Sequence, residues 1–291
     1  MPPSLEQIAL KVKSVQKRTP VYAEVALWVA ELLSATINFS DSAEFQLPEL
    51  DFAQKDLQNA WSQGRSFLKP EELSLEWKKI HALYRHLVKL VEKRENGLKQ
   101  SEGLLKAMEE KHNGTPVLIK AALASDYETI DASAKALKVD PPVLALLLHL
   151  SLRPALSMIA QAVLERLDVN LWNHGHCPVC GSAPKLADLS GEGGKRRLHC
   201  SLCEAAWYYP RMRCPFCENA DIKDLSYLRA ENEEGLRVDL CSRCNNYLKT
   251  IDLREIAGPI IVPLDDVTTW HLDIIAGKKT ENKSETLSRA T

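Results

Sequence analysis

The sequence predicts an α+β protein. It should have an N-terminal all-α helical domain over residues 1–170, two tandem small β modules that bind metal over 171–212 and 213–264, and a C-terminal helix with a polar tail over 265–291. Three observations carry that prediction. All eight cysteines fall between Cys177 and Cys244, and each belongs to a Cys-x-x-Cys pair. The segment holding them repeats once. Before it, from residue 4 to about 170, there is no cysteine and little glycine, and apolar residues recur at helical spacing.

At 291 residues and 45% hydrophobic composition the chain can bury a substantial core. A formal net charge of -2 supplies no global positive field for nucleic acid or an anionic membrane. Met1 to Pro20 carries lysines and no continuous apolar run, unlike a secretory signal, so a cytoplasmic protein is expected. The most apolar run, Val143 to Leu152, is about half the length that spans a bilayer and meets Arg153-Pro154 at once, which predicts a buried helix and no membrane span.

In the helical half, a helix beginning near Pro20 would align Val21, Val25, Trp28, Leu32 and Ala35 on one face. A second long helix, from about Pro70 to Arg94, would carry Leu73, Trp77, Ile80, Tyr84, Leu87 and Leu90/Val91 inward. Shorter helices are expected at about 101–112, 116–124 and 126–137. Asp140-Pro141-Pro142 then opens a last one to about Leu167, with Pro154 as a kink or break.

The metal half reads as two copies of knuckle, hairpin, knuckle and third strand. In the first, Cys177-Pro-Val-Cys180-Gly181 precedes a strand at Lys185–Leu189, a glycine-rich turn, a strand at Lys195–His199, Cys200-Ser-Leu-Cys203 and Trp207-Tyr208-Tyr209. In the second, Cys214-Pro-Phe-Cys217 precedes strands at Leu225–Leu228 and Leu236–Leu240, Cys241-Ser-Arg-Cys244 and a strand at Tyr247–Ile251. Two residues between thiolates let one tight turn aim both sulfurs at one ion, and a hairpin brings two such turns together. Sequential grouping follows: Cys177, Cys180, Cys200 and Cys203 on one ion, and Cys214, Cys217, Cys241 and Cys244 on the other. An interleaved arrangement would break the repeat into unequal parts.

Closed four-sulfur sites leave no position for a substrate, so structural or electron-transfer sites are expected and no enzyme. Tetrahedral sulfur suits zinc and iron alike, which makes these rubredoxin-like or zinc-ribbon modules. His174, His176 and His199 lie near the knuckles but outside the two complete sulfur sets, while His81, His86, His112 and His149 read as ordinary helix residues. Lys195-Arg196-Arg197, Arg211 and Arg213 could imitate the nucleic-acid face of a zinc ribbon. Residues 171–250, however, hold 11 lysines and arginines against 10 acidic residues, too thin a balance for a phosphate-driven interface. Past the second module, Ile260-Ile-Val-Pro263 is expected as an edge strand, and Asp265 or Asp266 as the cap of a helix through about Ala276 that carries Trp270 and Ile274 inward.

Over residues 175–250 the chain resembles the formate dehydrogenase accessory protein family, FdhE. The resemblance rests on Cys177-Pro-Val-Cys-Gly-Ser-Ala-Pro184, Leu198-His-Cys-Ser-Leu-Cys-Glu204 with Trp207, Arg213-Cys214 with Cys217, and Cys241 and Cys244 followed by Tyr247-Leu-Lys249. Ala206 departs from the pattern, which has an acidic residue before Trp207. The resemblance implies a cytoplasmic assembly factor that contacts the formate dehydrogenase catalytic subunit before export, and iron in preference to zinc in both sites. The alternatives left by the residues are a nucleic-acid-binding zinc ribbon and a rubredoxin-like electron carrier.

Overall fold

The computed structural model describes residues 3–43, 45–47, 54–68, 73, 75–94, 97–109, 111–112, 115–166, 168–230 and 233–277. Its helices are α1 (Leu5–Arg18), α2 (Ala23–Ala43), α3 (Gln54–Ser62), α4 (Trp77–Glu92), α5 (Gly97–Lys106), α6 (Val117–Leu123), α7 (Tyr127–Leu137) and α8 (Pro141–Leu164). A two-stranded ribbon, β1 (Lys111–His112) with β2 (Thr115–Pro116), separates α5 from α6. His112 therefore lies on a strand, where a helix was expected.

Local signals start several of these helices. Ser4 and Gln7 form a reciprocal capping box on α1, Asp126 accepts from the Thr129 N–H at α7, and Asp140 accepts from Val143 N–H ahead of the prolines of α8. The helix expected from Pro70 starts only at Trp77, because Leu73, Leu75 and Glu76 are not helical; residues 70–72 and 74 lie outside the described residues. Its inward stripe holds, with Ile80, Tyr84, Leu87 and Val91 buried.

The stripe expected on the second helix is rotated. Pro20–Tyr22 is a single 3-10 turn, Val21 is 82% exposed, and Ala26, Val29, Ala30, Leu32, Leu33 and Thr36 are buried in place of the full predicted set. Apolar residues lie nearly all round α2, so spacing alone did not fix its inner face.

Helix α8 runs unbroken through Pro154, with Leu144, Leu147, Leu148, Leu152 and Ile159 buried on several sides. By length and composition, 20–43 and 141–164 could each cross a bilayer; 67% of the apolar window in α8 is buried inside this protein. Burial and the nearby Lys185 ammonium push His149 down from 6.5 to about 4. The unfolded chain therefore takes up this proton first, and its contribution to stability is lost as pH falls from 6.5 towards 4. Melting temperature should decline over that window, and His149→Gln should flatten the slope; an unchanged slope would refute the assignment.

The metal half is one mixed sheet in the order β5-β4-β3-β8-β7-β6. The first ribbon comprises β3 (Pro184–Ser190), β4 (Lys195–Cys200) and β5 (Ala206–Tyr208); the second comprises β6 (Leu225–Arg229), β7 (Leu236–Cys241) and β8 (Tyr247–Asp252). Each is an antiparallel meander, as the repeat predicts. They join through parallel pairing of β3 with β8, with Leu186 opposite Lys249 and Leu189 opposite Asp252. The two copies thus follow each other in the same order across the sheet. At the turn between β3 and β4, Gly191 and Gly194 supply positive φ of 67° and 57°.

The C-terminal segment differs from expectation in two ways. Residues 260–261 form no strand, and α9 (Val262–Val267) begins with Pro263 in its first turn, where the fixed φ suits a helix. Asp265 is not the preceding cap: it lies inside α9 and reaches back to accept from Ile261 N–H. Helical residues 270–277 follow, but Trp270 is 63% exposed and Ile274 is exposed, while Leu272 and Ala276 are buried against Leu236, Val238 and Ile251. The turn at 268–269 resets the helical phase, so the inward face differs from that of one continuous helix. Most of the polar tail, 278–291, lies outside the described residues.

This segment returns to α1. Lys11 pairs with Asp265 at 2.7 Å with both side chains 5% exposed, Arg18 donates to the Glu234 carbonyl, and the Tyr22 hydroxyl bridges the Nδ1 and backbone N–H of His271.

Candidate metal centres

Four knuckles place the eight sulfurs, and all four share one backbone design. The N–H of each first cysteine donates to the carbonyl five residues on: Cys177 to Ser182, Cys200 to Ala205, Cys214 to Asn219 and Cys241 to Asn246. The residue after each second cysteine is left-handed: Gly181, Glu204, Glu218 and Asn245, at φ 79°, 58°, 58° and 55°. Three of these are not glycine, and each carries a cost of about 1 kcal/mol for that conformation. The αL position, not the glycine, is the invariant of the repeat.

The hairpins then bring the knuckles together in sequential pairs. Cys177, Cys180, Cys200 and Cys203 form one group and Cys214, Cys217, Cys241 and Cys244 the other, with the sulfurs of each group within 4.8 Å of one another. Cross-knuckle Sγ–Sγ distances are 3.5 Å for Cys177–Cys203, 3.4 Å for Cys180–Cys200, and 3.7 Å for both Cys214–Cys244 and Cys217–Cys241. A tetrahedral ion with sulfur at about 2.3 Å has an S–S edge of about 3.8 Å, so both groups have the size of a closed four-sulfur site. All eight cysteines are free.

The electrostatics point the same way. Burial pushes the Cys177 and Cys214 thiols up, so neighbouring thiolates at these positions need a cation. Backbone N–H groups converge on the sulfurs: those of Leu202 and Cys203 on Cys200, Phe216 and Cys217 on Cys214, and Arg243 and Cys244 on Cys241. That pattern favours the ionised form and suits zinc and ferrous or ferric iron alike.

Neither group includes a histidine. His199 Nε2 lies 2.6 Å from Asp188, His176 Nε2 lies 3.2 Å from the Gly64 carbonyl, and His174 faces Glu218 at 3.4 Å. Burial would raise the Asp188 carboxyl, but His199 and Arg197 overcome it and hold it below the usual range. Lys195 and Arg211 of the basic set are exposed, but its other three members are engaged with the protein. Arg196 is buried and donates to the carbonyls of Pro210 and Arg213, Arg197 pairs with Asp188, and Arg213 pairs with Glu218. Trp207 and Tyr209 are ribbon core, whereas Tyr208 is 41% exposed.

Sequence reasoning missed how the helical half grips the first centre. The end of α3 and the stretch after it lie along its first knuckle: Trp61 Nε1 donates to the Pro178 carbonyl, Ser66 Oγ to the Cys177 carbonyl at 2.7 Å, Phe67 N–H to Pro178 and Leu68 N–H to Val179. From the other side, Arg153 in α8 makes a two-point pair with Glu204, Nε to Oε1 at 2.8 Å and Nη2 to Oε2 at 3.0 Å. Gly175 fits between the two centres, since a Cβ there would sit 1.9 Å from the Pro215 carbonyl oxygen. A serine, an arginine and a glycine in these contexts give no pattern that spacing could detect.

Among known families, "FdhE, central domain" matches residues 176–211, the segment that contains the whole first centre. Residues 176–211 are similar to the FdhE central domain. The chain is also similar to an FdhE homologue of Aquifex aeolicus, 34% identical over 128 residues, covering 43% of this chain and 44% of that one. It is 33% identical to an FdhE homologue of Edwardsiella ictaluri over 160 residues, covering 54% and 48%. With an FdhE of Salmonella choleraesuis it shares 37% over 101 residues, covering 34% and 32%. The matches thus span about half or less of these curated relatives. The fold extends further: the crystal structure of an FdhE protein from Pseudomonas aeruginosa is similar over 96% of this chain and 94% of that one, at a TM-score of 0.68 and 22% identity. The resemblance first seen in the cysteine motifs is therefore shown at the level of motif, central domain and fold.

Proposed function

We propose that this chain is a cytoplasmic accessory factor in the maturation of respiratory formate dehydrogenase, binding the enzyme's catalytic subunit and holding one metal ion in each four-cysteine cluster, with iron preferred to zinc. The observation that carries the reading is the coincidence of the FdhE central-domain match, 176–211, with the complete first centre. The proposed ligands are Cys177, Cys180, Cys200 and Cys203 for the first ion and Cys214, Cys217, Cys241 and Cys244 for the second. The proposed working units are the helical part, 1–170, the ribbons, 171–212 and 213–264, and the terminal segment, 265–291.

Binding rather than catalysis is supported by the sulfur sets themselves, since four thiolates complete a tetrahedron and leave no coordination position for a substrate. A phosphate-binding role gains no support from Arg196, Arg197 and Arg213, whose guanidiniums are engaged with protein carbonyls and carboxylates.

The test is anaerobic co-purification of the tagged full chain with the formate dehydrogenase catalytic subunit, combined with elemental analysis. Retention of the subunit, two ions per chain and ferric-thiolate absorbance after oxidation are expected. A folded chain carrying two ions but failing to retain the subunit would remove the partner from the reading.

A further inference from the structure

The two centres have the same sulfur geometry but opposite surroundings. In the first, Cys177, Cys180, Cys200 and Cys203 are 0%, 6%, 0% and 3% exposed, and the intervening Pro178, Val179 and Leu202 are buried. Its knuckles are held from both sides by the helical half, through Trp61, Ser66, Phe67 and Leu68 on one and Arg153 on the other. In the second, Cys217 and Cys244 reach the surface, Pro215 and Phe216 are only partly covered, and Arg243 is exposed. Its knuckle tips are tied to each other by short polar contacts: Asn219 to Asp224, Ser242 to Asp224 and Arg243 to Asn219. A cavity of about 390 Å³ opens beside it, with Cys214 and Cys241 in its wall together with Arg213, Arg237 and Tyr227.

Removing an ion from four thiolates requires stepwise attack by an incoming ligand, and each step needs a sulfur that the ligand can reach. At the second centre Cys217 and Cys244 are reachable without unfolding. At the first, every sulfur lies in the core shared with α8, so exchange must wait for a larger opening of the protein. We propose that the second centre is the exchangeable one, able to give up and take back its ion to an external thiolate- or carboxylate-bearing ligand, while the first is a permanent structural site. The exchange changes no valence: the ion passes to the acceptor ligand, and the four released thiolates take up protons from solvent. The proposal rests on the reading of both clusters as metal sites.

The experiment uses the full chain loaded with two equivalents of zinc, the ion whose release is easily followed, and challenged with excess 4-(2-pyridylazo)resorcinol. Two phases of one equivalent each are expected, the fast one at least about tenfold faster, a ratio that corresponds to an opening difference of about 1.4 kcal/mol. Iodoacetamide labelling of the same protein, quenched over time and mapped by mass spectrometry, locates the phases without any substitution. Label should appear at Cys217 and Cys244 during the fast phase and at Cys177, Cys180, Cys200 and Cys203 only in the slow one. Release of both ions in one phase, or early label on the first four cysteines, would overturn the proposal. Failure to load two ions per chain would instead overturn the reading of the clusters as metal sites.

Discussion

Replacing Cys177 and Cys180 together with serine is expected to unfold the whole chain, whereas the same change at Cys214 and Cys217 should leave the helical half folded with one ion. The difference lies in where each set of sulfurs sits. Cys177, Cys180, Cys200 and Cys203 belong to the same continuous core as Leu148, Leu152, Leu156 and Trp207, while the second ribbon closes over a small separate core of Leu236, Val238, Ile251, Ile256, Leu272 and Ala276. Structural zinc in finger peptides contributes about 10–16 kcal/mol, which equals or exceeds the roughly 5–15 kcal/mol that holds a typical domain together. Losing it from the main core also leaves two thiols and two hydroxyls in a dry interior. Calorimetry with metal analysis on the two double variants checks this. A cooperative transition for Cys177→Ser/Cys180→Ser within a few degrees of the parent would show that the first centre is not part of the protein's main cooperative unit.

Arg153→Met should cost about 3 kcal/mol, or a fall of roughly 10 °C in Tm, because it strands the Glu204 carboxylate under the helices. The Arg153 side chain is 5% exposed and that of Glu204 19%, so water offers little compensation. Adding Glu204→Gly to Arg153→Met should recover most of the loss. The second change removes the stranded charge and relieves the left-handed backbone at φ 58°. A double-mutant cycle by denaturant titration measures the coupling, and a single-variant loss below about 1 kcal/mol would show the pair to be no more than a surface contact. A surface contact would also mean that α8 does not hold the second knuckle of the first centre through this pair.

What the sequence revealed was local. A Cys-x-x-Cys turn, a glycine-rich hairpin and an Asp-Pro-Pro helix start are each decided within a few residues, so the sulfur grouping, all six strands of the metal half and the start of α8 could be read directly. What it concealed was either rotational or remote. The inner face of α2 was ambiguous because Leu27 lies on the side of the helix opposite Val25, Val29 and Leu32, so its apolar residues are not confined to one stripe. The phase of 270–277 was lost at a turn that no Pro or Gly marks. The pairing of β3 with β8, and the grip of Ser66 and Leu68 on the first knuckle, join segments far apart in the chain whose residue types carry no partner code. Folding rewards such contacts only after a long loop is closed, and no short-range pattern records them.

The ties between α1 and the C-terminal segment also fix an order of events at the ribosome. Tyr22 and His271 stand 249 positions apart, a gap that takes roughly 10 to 50 s to translate. Through that interval Lys11 of α1 lacks the Asp265 carboxylate that neutralises it. Helix α1 and the turn after it thus wait for residues made 249 or more positions later before the contacts to Asp265 and His271 can form.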